Sequence, residues 1–180
     1  MEIVDLDLDG PMFFVPKAHH DTRGTFREIY NINSYSHHMP VMEWKQSNHS
    51  TTKQDGLRGL HYRDGEVKLV TVIHGCILDV VVDIRPKSKT FGRWVSVKLF
   101  EGSQIFVPDG FAHGFVSIAS YDSKVVYLTN KTYDPAESRA LAWNDSDLNI
   151  YWGVENPIIS KQDQANSSWR SYVQSLDSRV

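Results

Sequence analysis

Residues 102–113 read G-S-Q-I-F-V-P-D-G-F-A-H and contain the strongest fold signal in the chain. Gly102 is suited to a turn, and the apolar residues 105–107 indicate a short strand. That strand stops at the P-D-G triplet of residues 108–110, which is typical of a tight corner. The stretch therefore predicts two short strands around a corner, with His113 pointing from the second strand into the interior of a barrel.

The rest of the chain shows the same punctuation by Gly, Pro, Asn and Asp. Short apolar or alternating runs predict further strands at residues 67–73, 77–84, 94–99, 115–118 and 124–129. The triplet His74-Gly75-Cys76 predicts a turn, and short helices are predicted at residues 31–38 and 167–176. This pattern favours an all-β fold, an antiparallel β-barrel or jelly roll with a few short peripheral helices, as one domain over residues 1–180.

Composition and charge exclude several classes of protein. A formal net charge of −3 over 180 residues argues against a protein built to coat nucleic acid, and 41% hydrophobic residues argue against disorder. Because Cys76 is the single cysteine, neither an intrachain disulfide nor a cysteine-based zinc site is available. The acidic first ten residues do not resemble a signal peptide, and no apolar run reaches the ~18–20 residues of a membrane helix. We therefore expect a cytoplasmic protein with no nucleic-acid or membrane partner.

The spacing of Gly102, the P-D-G triplet and His113 resembles the second motif of the cupin superfamily. A metal-binding cupin also needs a His-x-His pair and a downstream Glu in its first motif. Here the corresponding residues 61–63 read H-Y-R, and an arginine stays protonated and cannot ligate a metal. Glu66 lies nearby but out of register. The resemblance thus implies a cupin-type barrel without a metal, and a metal-dependent cupin is the remote alternative.

Eight motifs resemble, in order, those of the dTDP-4-dehydrorhamnose 3,5-epimerases, a family of cupin-fold enzymes that act on nucleotide-linked 4-keto sugars. They are D-x-R-G-x-F-x-E (21–28), Q-x-N-x-S (46–50), L-R-G-L-H-Y (57–62), D-V-x-V-D-x-R (79–85), S-K-T-F-G (88–92), P-D-G-F-A-H-G-F (108–115), W-N-D (143–145) and S-x-x-D (160–163). The resemblance implies an isomerase that needs no cofactor and epimerises a nucleotide-linked 4-keto-6-deoxy sugar, dTDP-4-dehydro-6-deoxyglucose above all, through an enolate.

The implied chemistry needs a base, an oxyanion stabiliser and an acid on the opposite face of the sugar. His61 is the predicted base, because imidazole can take up a proton near neutral pH. The resemblance implies that Asp163, a hundred residues away, fixes the tautomer of His61 and stabilises the imidazolium. The plainer interpretation of His61 is a structural histidine in the barrel wall.

Lys68 and Tyr127 are the predicted oxyanion stabiliser and acid. An inward lysine on a strand needs a partner, and Asp79 on the following strand is placed to be one. The alternation of residues 125–129 places Tyr127 on the face opposite Val126 and Leu128. Tyr133 is the rival acid at the end of that strand, and either tyrosine could instead fill the core.

Seven further residues are predicted to bind the substrate. Arginines suit the diphosphate and amide side chains suit the edge of a pyrimidine base, and the remaining positions match the family motifs near the nucleotide or the sugar. These residues are Arg23, Phe26, Glu28, Gln46, Asn48, Arg58 and His113. Asp79, named above as the expected partner of Lys68, is also predicted to bind the substrate.

One departure from the family pattern bears on specificity. The link between His61 and Lys68 is several residues shorter than usual, Arg63 replaces a glutamine, and Asp64-Gly65 predicts a tight hairpin turn. This motivates a related activity, an enzyme that epimerises only C3 or only C5, or one that acts on another nucleotide sugar such as a GDP-heptose. A non-catalytic sugar-binding cupin is a third class.

The resemblance also implies a homodimer in which the N-terminal strand contributes across the interface. Residues 2–14 form an apolar-polar pattern without an obvious hairpin partner in the sequence, which is compatible with that expectation.

Overall fold

A computed structural model describes residues 1–177 of the chain, which fold mostly into β-strands. The elements in chain order are β1 (Glu2–Val4), β2 (Met12–Val15), β3 (Ala18–Asp21), β4 (Gly24–Arg27), α1 (Ile32–Tyr35), β5 (Gln46–Thr52), β6 (Gly56–Tyr62), β7 (Lys68–His74), β8 (Cys76–Asp83), β9 (Trp94–Phe100), β10 (Gln104–Val107), β11 (Phe111–Ser117), β12 (Ser123–Thr129), β13 (Arg139–Ala140), β14 (Ile158–Ile159), α2 (Lys161–Gln164) and α3 (Trp169–Asp177).

Two large sheets form the body of the molecule. The first sheet has the strand order β1-β2-β10-β7-β12-β5, and the second has the order β13-β6-β11-β8-β9, with β14 added in parallel to β6. All other pairs in both sheets are antiparallel. The hairpin of β3 and β4 forms a separate two-stranded sheet. The predicted all-β cupin-type barrel with short helices is confirmed.

Apolar side chains cover both faces of the central strands. In β8, Val81 belongs to the core shared by the two sheets, whereas Val80 and Val82 point the other way, as strand alternation requires. Trp152 and Leu148 cover that outer face. Strands buried on both faces read as continuous apolar runs, which explains the uninterrupted valines of β8.

Tight corners carry the chain from one sheet to the other. The predicted turn between β7 and β8 is a single residue, Gly75, whose φ is +84°; a β-carbon there would lie 2.6 Å from the Ser123 hydroxyl. The P-D-G corner at 108–110 links β10 to β11 in the same way. The turn at Asp64-Gly65 exists, but the predicted hairpin is wrong, because β6 and β7 belong to different sheets.

Two glycines bring β6 and β11 unusually close together. A β-carbon on Gly59, whose φ is +145°, would lie 2.7 Å from the α-carbon of Gly114, so neither position has room for a side chain. The ladder shifts register beside Gly114, and His61 then lies directly opposite His113. The close approach therefore sets two histidines side by side on the second sheet.

Several boundaries differ from the sequence expectation. Strand β11 starts at Phe111, before the predicted residue 115, because pairing with both β8 and β6 overrides the weak strand preference of Ala112 and Gly114. The N-terminal segment does have a hairpin partner, since β1 pairs with β2. Both predicted helices are confirmed as α1 and α3, each with shifted ends. Over residues 1–177, no helix is long and apolar enough to cross a membrane.

Candidate active site

A cavity of about 680 Å³ is lined by strands of both sheets and by the segment around α2. Eight of the predicted site residues line it, and five different strands and one helix supply them. They are Gln46, Asn48, Arg58, His61, Lys68, His113, Tyr127 and Asp163. Residues spread over more than a hundred positions of sequence are thus brought to one concave surface.

His61 and Asp163 form a hydrogen-bonded pair in the cavity. Nε2 of His61 lies 2.6 Å from Oδ1 of Asp163, and Asp163 is buried while the His61 side chain is 45% exposed. Burial alone would raise the pKa of the Asp163 carboxyl, but bonds from His61, Asn166 and Ser160 lower that pKa below its usual value. An ionised Asp163 holds the Nε2 proton of His61 and leaves Nδ1 available as the basic nitrogen.

Helix α2 is the element that positions Asp163. Ser160 caps its N-terminus, and the Ser160 hydroxyl accepts a hydrogen bond from the Asp163 backbone N–H at 3.1 Å. The S-x-x-D spacing is therefore a helix-capping signal, and we did not predict a helix from it. Capping fixes the turn that directs the Asp163 side chain towards His61.

A second histidine–carboxylate pair lies deeper. Nε2 of His113 is 2.8 Å from Oδ2 of Asp79, and both side chains are buried. Burial raises the pKa of Asp79, while the charge and hydrogen bond of His113 and the charge of Lys68 oppose that shift. Among residues 1–177, no hydrogen-bond partner reaches Oδ1 of Asp79. This buried carboxyl holds the His113 ring against the cavity wall.

Lys68 lines the cavity with a partner other than the predicted one. Its Nζ lies 3.0 Å from Oε2 of Glu66, two residues earlier, whereas Asp79 bonds to His113. The expectation that Asp79 forms the ion pair of Lys68 is wrong, because Asp79 lies under the His113 ring and Lys68 acts on it through charge alone. Glu66 is two residues from Lys68, a spacing that places both side chains on one face of an extended chain.

Tyr127 faces the cavity from β12, as its alternation predicts. Burial raises the pKa of its phenol, the Glu66 charge raises it further, and the Arg58 charge opposes the shift. The phenol is therefore protonated at neutral pH and able to donate. Tyr133 also lines the cavity, but its side chain is largely exposed at the rim.

The amide pair and Arg58 line another part of the cavity. Nε2 of Gln46 donates to Oδ1 of Asn48 at 2.8 Å, and Oε1 of Gln46 accepts from the backbone N–H of Tyr133 at 2.7 Å. Nε of Arg58 donates to the Thr52 hydroxyl at 2.9 Å. These bonds fix the orientation of both amides and of the guanidinium before any ligand arrives.

Four predicted substrate-binding residues do not line the cavity of their own chain. One is Asp79, which bonds to His113 as described above, and the other three lie in or next to the β3–β4 hairpin. Arg23 and Phe26 belong to the β3–β4 hairpin, where Arg23 pairs with Asp21 and Phe26 is 69% exposed. Glu28 follows the hairpin and accepts a hydrogen bond from Asn31. Substrate binding by Arg23, Phe26 and Glu28 stays a prediction, since the hairpin forms a sheet of its own and does not line the cavity of its own chain.

Several cavity residues were not predicted as site residues. Glu66, Arg63, Lys131 and Arg139 carry charge, and Ser50 has a buried hydroxyl without a hydrogen-bond partner within the described part of the chain. Ser50 belongs to the Q-x-N-x-S motif, and strand alternation from Asn48 is a signal that could have found it. Within residues 1–177, no cluster of three or more His, Cys, Asp or Glu side chains is placed to hold a metal ion.

Comparison with known proteins identifies a family. The family model for dTDP-4-dehydrorhamnose 3,5-epimerase matches residues 5–171. A curated dTDP-4-dehydrorhamnose 3,5-epimerase of Shigella flexneri is 38% identical, over 91% of this chain and 93% of that protein. A dTDP-4-dehydrorhamnose 3-epimerase of Streptomyces niveus is 31% identical, over 91% and 82% respectively.

Solved structures agree with the sequence comparisons. An epimerase from Mycobacterium tuberculosis superimposes with a TM-score of 0.92 at 33% identity, covering 97% of this chain and 92% of that one. A dTDP-6-deoxy-D-glucose-3,5-epimerase from Legionella pneumophila, in complex with dTDP-4-keto-L-rhamnose, gives a TM-score of 0.88 at 32% identity, covering 93% and 92%.

Proposed function

Because this chain belongs to the dTDP-4-dehydrorhamnose 3,5-epimerase family, we propose that it epimerises C3 and C5 of a dTDP-linked 4-keto-6-deoxy sugar. One observation carries the proposal. His61 lies on the second sheet and Tyr127 on the first, and both line the same cavity. A base and an acid on opposite walls are what inversion at carbon requires.

The first step is proton removal. Nδ1 of His61 takes the proton from the carbon beside the ketone, and the electron pair of the broken C–H bond forms the C=C bond of an enolate. The carbonyl π electrons move to the C4 oxygen. Asp163, ionised and bonded to Nε2, stabilises the imidazolium that results.

The enolate is stabilised by charge and then protonated from the other side. The Lys68 ammonium donates to the C4 oxygen, where negative charge develops. The Tyr127 phenol gives its proton to the carbon on the face opposite His61, so the configuration inverts. Exchange with water restores the tyrosine and the histidine, and repetition at the second carbon completes the double epimerisation.

The nucleotide occupies the polar end of the cavity. Gln46 and Asn48 present fixed amide groups to the edge of the pyrimidine, and the Arg58 guanidinium binds the diphosphate. Lys131 and Arg139 add positive charge at the same cavity, which favours a dianionic ligand.

Arg23, Phe26 and Glu28 reach a substrate through a second copy of the chain. Their position outside their own cavity, and the exposure of the apolar Phe26, support a homodimer in which each hairpin serves the partner's site. Like the homodimer, a cytoplasmic location and a single domain over the whole chain remain predictions.

The short turn at residues 63–67 supports a second candidate, epimerisation at C3 alone. The turn supplies Arg63 and Glu66 to the cavity lining, and the relative from Streptomyces niveus is named a 3-epimerase. Both candidates share the base, the oxyanion stabiliser and the acid.

The test is proton exchange in deuterated water. We expect dTDP-4-keto-6-deoxyglucose to lose its C3 and C5 proton signals in NMR spectra with the wild-type protein. His61→Ala should slow exchange by roughly 10²–10⁴-fold, the usual range for loss of a general base. Loss of the C3 signal alone would identify a single-centre epimerase. Bound substrate without any exchange would contradict the catalytic proposal and favour a sugar-binding protein.

A further inference from the structure

The backbone around Glu66 is held on both sides. Within the turn of residues 63–67, the N–H of Gly65 donates to Oδ1 of Asp109 at 2.7 Å, and Nδ2 of Asn130 donates to the Gly65 carbonyl at 3.0 Å. Oδ1 of Asn130 accepts from the N–H of Val67 at 2.8 Å. These bonds fix the backbone on both sides of Glu66 and so fix the position from which its side chain projects.

The Glu66 carboxylate bridges two neighbouring strands. Its Oε2 lies 3.0 Å from Nζ of Lys68 on β7, and its Oε1 accepts a hydrogen bond from the Thr129 hydroxyl on β12 at 3.3 Å. Lys68 and Thr129 are register partners in the β7–β12 ladder. The side chains of Glu66 and Lys68 are only 16% and 13% exposed, so solvent screens the pair weakly.

A lysine ammonium needs such a partner to act as a preorganised donor. The Lys68 side chain has a flexible four-carbon stem, so an unpaired ammonium group would occupy many orientations. Glu66 engages one of the three N–H bonds and leaves two for other acceptors. The remaining donors lie at the cavity that also contains His61 and Tyr127.

We propose that Glu66 is a positioning residue of the sugar subsite, whose carboxylate holds the Lys68 ammonium at the C4 oxygen of the substrate; this inference rests on the proposed function. The short turn supplies this carboxylate in place of a longer loop. Preorganisation of the donor means that little reorientation is needed when charge develops on the oxygen.

The same carboxylate acts electrostatically on Tyr127. Burial raises the pKa of the phenol and the Glu66 charge adds to that rise, while Arg58 opposes it. The titratable and charged groups that share the cavity with the phenol come from β6, the 63–67 turn, β7, β11, the segment after β12, β13 and α2. They are Arg58, His61, Tyr62, Arg63, Glu66, Lys68, His113, Lys131, Tyr133, Arg139 and Asp163. Neutralising Glu66 removes a negative charge and should lower the pKa of Tyr127.

The test compares Glu66→Ala, Glu66→Gln and Asp64→Asn in the full-length protein. Asp64 lies in the same turn, but its carboxylate is exposed and 3.7 Å from Arg139. We expect Glu66→Ala to lower kcat for C–H exchange roughly tenfold, with the Kd for dTDP unchanged because dTDP lacks the 4-keto sugar that Lys68 would contact. Glu66→Gln keeps the shape, and the alkaline limb of its kcat–pH profile should move to lower pH. Asp64→Asn should match the wild type in both measurements.

Two results would overturn the inference. The first is that Glu66→Ala and Glu66→Gln both keep the kcat and the kcat–pH profile of the wild type. The other is an unchanged Tyr127 titration in Glu66→Gln, followed by NMR of ¹³Cζ-labelled tyrosine and assigned with Tyr127→Phe. That titration needs no substrate, so it distinguishes a failure of this inference from a wild-type protein that catalyses no exchange.

Discussion

The two histidines of the cavity lie opposite each other in one ladder, yet their surroundings assign them different roles. His61 is half exposed and bonded to Asp163, whose lowered pKa keeps it ionised. His113 is buried over Asp79, whose pKa is raised by burial. A base must reach its substrate, so the exposure of His61 and the charge of its partner favour it over His113.

The choice between the two tyrosines is testable at the residue scale. If Tyr127 is the acid, Tyr127→Phe should still allow His61 to remove and return a proton on the same face. We expect C–H exchange to continue at a reduced rate while the epimerised product falls by roughly 10²-fold or more. NMR of the sugar signals in deuterated water measures both quantities.

Tyr133→Phe is the matched control, since Tyr133 lies at the rim of the same cavity. It should retain inversion, with an effect mainly on KM. If Tyr133→Phe, and not Tyr127→Phe, separated exchange from inversion, the acid would be Tyr133.

At the element scale, short acidic motifs fix the loops that surround the strands. Asp145 of the W-N-D motif accepts backbone hydrogen bonds from Asp147 and Leu148 through one oxygen and from Trp169 at the start of α3 through the other. Asp83, at the end of β8, accepts bonds from Arg85, Ser88 and Thr90. These motif residues lie outside the cavity and stabilise its supports.

Asp83 should make stability depend on pH. Burial would raise the pKa of its carboxyl, but the bonds from Arg85, Ser88 and Thr90 lower that pKa well below its usual value. A carboxyl whose pKa is lower in the folded than in the unfolded protein stabilises the fold above about pH 4, and this contribution disappears as the pH falls further.

Asp83→Asn should therefore lower the free energy of unfolding by about 1.5–3 kcal/mol at pH 7, the usual contribution of a hydrogen bond to a charged group, because Asp83 is buried but the Arg85 side chain is 35% exposed. Urea denaturation at pH 7, 5 and 3 measures the difference, which should shrink below about pH 4. Asp147→Asn, at an exposed position, should change little at any pH. An equal loss for Asp83→Asn at all three pH values would contradict this explanation.

At the scale of the whole molecule, the hairpin residues and the cavity residues belong to different parts of the chain. If Arg23 serves the partner's site, a chain with Arg23→Ala and a chain with His61→Ala should complement each other in mixed dimers. One site of each mixed dimer would then have both Arg23 and His61. We expect co-expression to restore about a quarter of wild-type activity, since half of the dimers are mixed and each has one complete site.

Light scattering measures the mass of the protein in solution, and a homodimer should give twice the 20.6 kDa of one chain. Co-expression that gives no more activity than the Arg23→Ala chain alone would show that Arg23 acts within its own chain or not at all.

The sequence by itself determined the barrel, the corners and many of the residues that line the cavity. Strand alternation and Gly-Pro punctuation are local properties, so β7 to β10 and the Gly75 and P-D-G corners follow from neighbouring residues. The motifs identified His61, Lys68, Tyr127 and Asp163, all of which line the cavity.

Only the tertiary structure decided which side chains contact each other. The partner of Lys68 is Glu66 and not Asp79, because Asp79 bonds to the buried His113 ring, 34 residues away in the sequence. The hairpin with Arg23 and Phe26 forms a sheet of its own and does not line the cavity, which no local pattern predicts. Ion pairs and cavity walls depend on the packing of distant segments, and that packing is a property of the whole chain.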